Sequence, residues 1–273
     1  MFTKLATELL DMIAQDVPQE FRPSLIRSCK RLYYIVTRVQ YKEIEVQDRE
    51  ARLLFAIVAS PLSTTIPYGK LIRSLTFVAT TSTDIYLSFT ICCDALLQMT
   101  NLISLNLLIP RHHTRFLLTQ MRKTAIISAA SSPVQALPRL RNFGLQGDVQ
   151  FAGILRNRPI VQFHLTEPVG YADLTFLQEV LSPSQPNTDI REICLTFEFI
   201  KPSRTIFAIQ NLAKSFPKLQ HLSIYVSTLN GLVSFFFWNS MRRPHSNQHF
   251  LALFFDSGKG AYYLRKLANI YAQ

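Results

Sequence analysis

Apolar residues return along much of the chain in one spacing: an apolar residue, two variable positions, a second apolar residue, one variable position, and a third. The copies are Ile72-Leu75-Phe77, Leu102-Leu105-Leu107, Leu140-Phe143-Leu145, Ile160-Phe163-Leu165, Ile190-Ile193-Leu195 and Leu219-Leu222-Ile224, separated by steps of 30, 38, 20, 30 and 29 residues. Tyr41-Ile44-Val46 fits one step of 31 residues earlier, and Gln248-Leu251-Leu253 fits loosely one step of 29 later. Two apolar residues separated by one position share a face of an extended chain, so each copy predicts a short strand with one buried face. Helical spacing lies between the copies. Asp173 is expected to cap a helix carrying Leu174, Leu177 and Val180. Ser203 is expected to cap one carrying Ile206, Phe207, Ile209, Leu212, Ala213 and Phe216, which Pro217 then stops. Residues 85–98 and 260–272 read as further helices.

A strand followed by a helix, repeated near thirty residues, is the arithmetic of a leucine-rich-repeat solenoid, in which each unit buries its apolar face by stacking on its neighbours. The expected fold class is therefore α/β, with parallel strands alternating with helices; an ordinary α/β domain is the alternative. The asparagine or cysteine that usually ends the leucine-rich motif is replaced here by Thr80, Pro110, Asp148, Pro168, Glu198 and Ser227. Regular curvature is not expected, and the 38-residue step predicts an irregular connection. In such an array the variable positions flanking the second and third apolar residues line the concave, target-binding face. They are Ser74, Thr76, Ser104, Asn106, Asn142, Gly144, Gln162, His164, Glu192, Cys194, His221, Ser223 and Tyr225. Small and mostly polar, they suit hydrogen-bonded recognition of a peptide or protein better than an apolar pocket.

The opening stretch, KLATELLDMIAQDVPQEFRPSLIRSCKRLYYIVTRVQYKEIEV over residues 4–46, holds more large apolar residues than a pair of short helices can hide. It resembles an F-box, the three-helix module with which receptor proteins dock on the Skp-type adaptor of cullin–RING ubiquitin ligases. Leu5, Glu8, Leu9 and Leu10 match the family's opening leucine, glutamate and apolar pair, with Ala6 in the place of its proline. Ile13 and Val17 continue the apolar face. Leu25, Cys29, Lys30 and Arg31 fall where the family has its leucine and cysteine-arginine pair, and Leu32 or Tyr33 stands in the place of its tryptophan. VQYKEIEV is similar to the closing strand, with Lys42 for arginine. An F-box at the N-terminus ahead of degenerate leucine-rich units, with FPKLQHLSI at 216–224, is similar to the expanded F-box family of mushroom-forming fungi.

The resemblance implies two parts: residues 1–46 as an adaptor-docking module, and residues 47–273 as a degenerate leucine-rich-repeat-like target-recognition domain. It implies docking through Leu5, Glu8, Leu9, Leu10, Ile13, Val17, Leu25 and Cys29. The partners implied are a Skp-type adaptor, through it a cullin–RING ligase, and an unknown target protein. No cofactor, metal site or membrane partner is expected. The same residues could instead be a helical cap on the first repeat.

Charge changes the picture only modestly. The formal net charge is +11, yet the first 46 residues hold seven Lys/Arg and six Asp/Glu, so the excess lies downstream. The densest cluster, Arg111 to Arg115 with Arg122 and Lys123, has no interleaved aromatic platform, and nucleic acid is not expected as a partner. Four cysteines, Cys29, Cys92, Cys93 and Cys194, form no CxxC pair, which points to a reducing compartment, cytoplasm or nucleus. No 18-residue apolar run is present; the longest candidate is GLVSFFFW at 231–238. GxSxG, HExxH, Walker A and GxGxxG patterns are absent, and SGKG at 257–260 lacks the first glycine of a phosphate loop. His112-His113 has no nearby carboxylate in sequence, while His164, His221 and Cys194 fall together on the exposed strand face, where a Cys/His grouping can be imagined. The expectation is an adaptor and not a catalyst. The alternative, favoured by the missing proline at Ala6, is a non-catalytic solenoid with a silent F-box that binds an acidic protein or nucleic acid.

Overall fold

The computed structural model describes residues 5–60, 66–80, 85–127, 136–180, 189–197, 216, 218–228, 231–238 and 253–255. Three short helices open the chain: α1 (Thr7–Asp16), α2 (Arg22–Ser28) and α3 (Lys30–Gln40). They enclose a small core of their own, Leu10, Ala14, Leu32, Ile35 and Val36, with Leu5, Leu25, Ile26, Cys29 and Val39 packed partly against it. Arg31 reaches Thr7 at 3.0 Å and Arg38 bonds Asp11, tying α1 to α3. Cys29 ends α2 and caps α3, its sulfur accepting from the Leu32 N–H at 3.5 Å.

β1 (Glu43–Gln47) follows directly and begins the sheet. α4 (Asp48–Ala59) carries acidic Asp48 and Glu50 in its first turn, where they favour the helix dipole, and buries Ala51, Leu54, Phe55 and Val58 at helical spacing. Then come α5 (Tyr68–Leu71), β2 (Ser74–Val78), α6 (Ile85–Gln98), β3 (Ser104–Leu108), α7 (Arg111–Lys123) and β4 (Asn142–Gln146). A 3-10 turn (Val149–Leu155) precedes β5 (Gln162–Val169), and α8 (Tyr171–Val180) precedes β6 (Glu192–Phe197). β7 (His221–Thr228), β8 (Gly231–Trp238) and β9 (Leu253–Phe255) close the described sheet.

β1 to β7 pair in parallel and in sequence order, so this is an α/β protein with seven parallel strands alternating with helices. Sequential parallel order with crossovers of one hand puts the connecting helices on one face of the sheet. Burial agrees: β2, β3 and β4 bury their second and fourth residues and leave the first and third half-covered. The second and third apolar residues of each repeat, from Leu75 and Phe77 to Leu222 and Ile224, all lie in one buried cluster with the helix faces. Aromatic contacts bind layers and neighbours: Phe55 to Phe77 at 5.2 Å between ring centroids, Phe77 to Phe89 at 6.0 Å, and Phe143 stacked on Phe163 at 6.1 Å.

Connection length decides what joins the strands. The 20-residue step between Leu140 and Ile160 carries only the 3-10 turn, started by Asp148, whose carboxylate accepts from Gln150 N–H at 2.8 Å. Asp173 supports α8 from inside its first turn, not from the capping position expected of it, by accepting from Gly170 N–H at 2.8 Å. The helix expected after Ser203 and the one at 260–272 lie outside the described residues.

Of the expected copy Gln248-Leu251-Leu253, Gln248 and Leu251 lie outside the described residues, and the strand that holds Leu253 is not parallel. β8 runs antiparallel to β7, and β9, which contains Leu253, antiparallel to β8. Two residues separate β7 from β8, and Thr228 pairs with Gly231. So short a connection permits an antiparallel return and no crossover. The apolar run GLVSFFFW is β8.

Candidate functional site

The expected docking residues divide by facing. α1 turns Leu9, Met12 and Ile13 outward, 48%, 60% and 37% exposed, and turns Leu10 and Ala14 inward at 0%. Leu10, expected at the docking surface, is therefore corrected to a core residue: it belongs to the stripe that packs on α3. Met12, not singled out from the sequence, joins Leu9 and Ile13 at i, i+3 and i+4 on the open face. Glu8 is exposed, Val17 half-buried, and Leu5, Leu25 and Cys29 lean partly on the small core. Phe21 and Tyr34 are also open, at 58% and 46%.

Ala6 stands at the N-cap of α1 with φ −62° and ψ 149° and donates to no described residue from its N–H. A proline ring holds φ near −65°, and its missing N–H is harmless ahead of a first turn, so the backbone at Ala6 accepts proline. Ala6→Pro is expected to stabilise the chain by about 0.4–1 kcal/mol through reduced freedom of the unfolded state, read as a shift in the urea midpoint without a change in slope.

The module meets the sheet through tyrosines. Tyr33 and Tyr68 share a hydroxyl–hydroxyl bond of 3.2 Å, and the Tyr41 ring lies 4.7 Å from that of Tyr68. The bond to Tyr33, with burial, pushes the Tyr68 phenol up to about 12.

The expected target-facing residues lie on the side of the sheet away from the helices. Ser74, Ser104, Asn142, Gln162, Glu192 and His221 form one register row, and Thr76, Asn106, Gly144, His164, Cys194 and Ser223 the next, with Tyr225 beyond. His221 is exposed and the others half-buried. Many are already engaged with each other. Asn106 donates to Thr76 at 3.2 Å, and Gly144 makes room for it, since a Cβ there would stand 2.2 Å from the Asn106 side-chain oxygen. Glu192 accepts from Gln162 at 2.9 Å and meets His164 Nε2 at 3.0 Å. Burial, aided by Glu192, pushes the Cys194 thiol up to about 11, so beside His164 it stays protonated at neutral pH and is a weak nucleophile. Burial, then Cys194, also raises the Tyr225 phenol.

A second polar group, whose members the sequence does not bring together, sits at the C-terminal ends of β1, β2 and β3. Asp48, held at φ +30°, accepts from the Thr80 N–H at 2.8 Å and from its hydroxyl. His113 is buried at the start of α7, its ring 5.4 Å from Tyr86 and 4.0 Å from His112. Neither ring nitrogen has a well-aligned hydrogen-bond partner among the described residues. Burial first, then His112, lowers its pKa, while the Thr80 backbone and Asp48 oppose the shift. A histidine whose folded pKa lies below its ordinary 6.5 binds protons more readily in the unfolded chain, so stability is lost as pH falls below about 6.5. Thermal unfolding at about pH 7.5 and about pH 5.5 is expected to show that loss, and His113→Phe, placed among Tyr86, Phe89 and Phe116, is expected to reduce it.

Among the described residues no helix is long and apolar enough to cross a membrane, and no three histidine, cysteine or carboxylate residues are grouped to hold a metal ion. No family model matches the chain, and no curated protein is significantly similar to it.

Proposed function

We propose that the chain is the target-recognition subunit of a Skp–cullin–F-box type ubiquitin ligase. Residues 4–46 dock on the Skp-type adaptor, and the parallel sheet with its helices, read as a degenerate leucine-rich-repeat-like domain, holds a target protein. The chain itself performs no chemistry: it raises the target's effective concentration near a ubiquitin-charged enzyme carried elsewhere in the assembly.

The observation that carries this reading is the outward apolar face of α1, Leu9, Met12 and Ile13, on a three-helix module that fills its core without them. An apolar face left over after the core is complete gains from a partner. Covering the exposed half of three such side chains releases about 2–4 kcal/mol gross, less than the roughly 4–15 kcal/mol cost of association, so Phe21, Tyr34 and the polar rim must supply the rest.

Co-purification of the full chain with a fungal Skp-type adaptor tests the reading. Wild type is expected to hold the adaptor, and Leu9→Arg/Ile13→Arg to release it while keeping the wild-type circular dichroism. A folded wild type that never retains the adaptor removes the ligase role.

A further inference from the structure

One residue before the paired register begins, the strands set Lys42, Arg73, Ile103, Arg141, Val161 and Arg191 in a single row. Backbone bonds fix it: Arg73 N–H donates to the Lys42 carbonyl at 2.9 Å, Ile103 to Arg73 at 2.7 Å, Arg141 to Ile103 at 2.8 Å, Val161 to Arg141 at 2.7 Å and Arg191 to Val161 at 2.9 Å. Three arginines therefore stand on alternate strands β2, β4 and β6, with half-buried Ile103 and Val161 between them. Neighbouring strands lie about 4.8 Å apart, so the guanidinium-bearing positions recur about every 9.6 Å.

Among the described residues, none of the three arginines forms an ion pair. The acids at this end are otherwise occupied. Glu43 lies 3.7 Å from Lys42, Asp189 bonds Lys218 and also feels Arg191, and Glu192 is held by Gln162 and His164. Arg141 and Arg191 are exposed, and Arg73 is half-buried.

The repeat length selects the ligand. A polyproline II segment advances about 3.1 Å per residue with three residues per turn, so side chains at i, i+3 and i+6 line one face about 9.3 Å apart. That matches the arginine spacing to within a few tenths of an ångström. Duplex nucleic acid presents one charge per roughly 1.7 Å of axis, far denser than the row, and single strands are held on aromatic platforms that the row lacks.

We propose that this edge row is the seat of an extended acidic peptide segment carrying Asp or Glu at every third position. Its carboxylates pair with Arg73, Arg141 and Arg191, and its intervening residues lie on Ile103 and Val161. The inference rests on the reading that the sheet domain holds the target, and it names the class of segment held.

Fluorescence anisotropy of the full chain with labelled peptides tests it. One peptide has glutamate at positions 1, 4 and 7; a control of equal composition has its glutamates adjacent. The spaced peptide is expected to bind at least about tenfold tighter, and Arg73→Gln/Arg141→Gln/Arg191→Gln to lose at least about tenfold. Circular dichroism and adaptor co-purification should be unchanged in the variant. Should it not fold, Arg141→Gln/Arg191→Gln, altered only at exposed positions, is expected to lose at least about threefold. Equal binding of the two peptides, no binding by wild type, or indifference to the substitutions overturns the proposal. Tighter binding of a single-stranded oligonucleotide than of either peptide, lost in the variant, also overturns it by making the row a nucleic-acid surface. Because the adaptor assay is separate, a failure here leaves the ligase reading standing, and a failure there leaves this measurement valid.

Discussion

Arg158→Ala is expected to destabilise the chain by about 3–5 kcal/mol, measured by urea unfolding. Arg158 is 1% exposed, and its guanidinium donates to the carbonyls of Ala136, at 3.1 and 3.0 Å, and Ile126, at 2.8 Å. Both carbonyls lie in the connection between α7 and β4, so one side chain fastens two points of that connection to the body of the sheet. Removal leaves two buried acceptors without donors and opens a cavity, and each loss costs about 1–3 kcal/mol. Arg158→Met refills the volume without restoring donors and is expected to lie between wild type and alanine.

The interaction is not free. Burial holds the Arg158 pKa down to about 10, and Nη1 finds no partner among the described residues. Since the folded value lies below the usual 12.5, the cost of the buried charge is fully present at pH 7 and relieved only above about pH 10. Alanine removes that cost too, so a measured loss below about 1 kcal/mol would mean that the two carbonyls find other donors.

Opposite results are expected from adjacent residues of α1. Leu9→Arg/Ile13→Arg should leave the fold intact and weaken adaptor binding at least about a hundredfold, as two interfacial anchors of about 2 kcal/mol each imply. Leu10→Ala should instead cost about 2–5 kcal/mol of stability, because Leu10 is wholly buried in a core of only five residues. Its effect on binding should follow from unfolding and disappear at temperatures where the variant is folded. Urea unfolding and adaptor titration on the same samples separate the two effects.

Much of the array was legible because its periodicity is strict where burial is strict. Leu75 and Phe77, Leu105 and Leu107, and Phe143 and Leu145 sit at strand spacing because only one sheet face meets the helices. Facing within α1 was less legible. Leu9, Leu10 and Ile13 are similar in type, and which of them turns inward is decided by Leu32, Ile35 and Val36 about twenty residues away. Charge gave no warning of Arg158, an arginine buried by hydrogen bonds to distant carbonyls. Nothing in the local sequence of the His112-His113 pair shows that His113 is buried, because its cover, Tyr86 and Phe89, comes from α6. The arginine row was spread over more than a hundred residues and became a row only through the strand register. The antiparallel β8 had an apolar composition but no alternation to mark its pairing.

Docking on the adaptor is read by calorimetric titration of a purified fungal Skp-type adaptor into the full chain. One saturable site is expected, with a negative heat-capacity change from burial of apolar side chains and little sensitivity to salt. The absence of binding by a folded chain would contradict docking, as would binding that falls steeply with salt and persists in Leu9→Arg/Ile13→Arg.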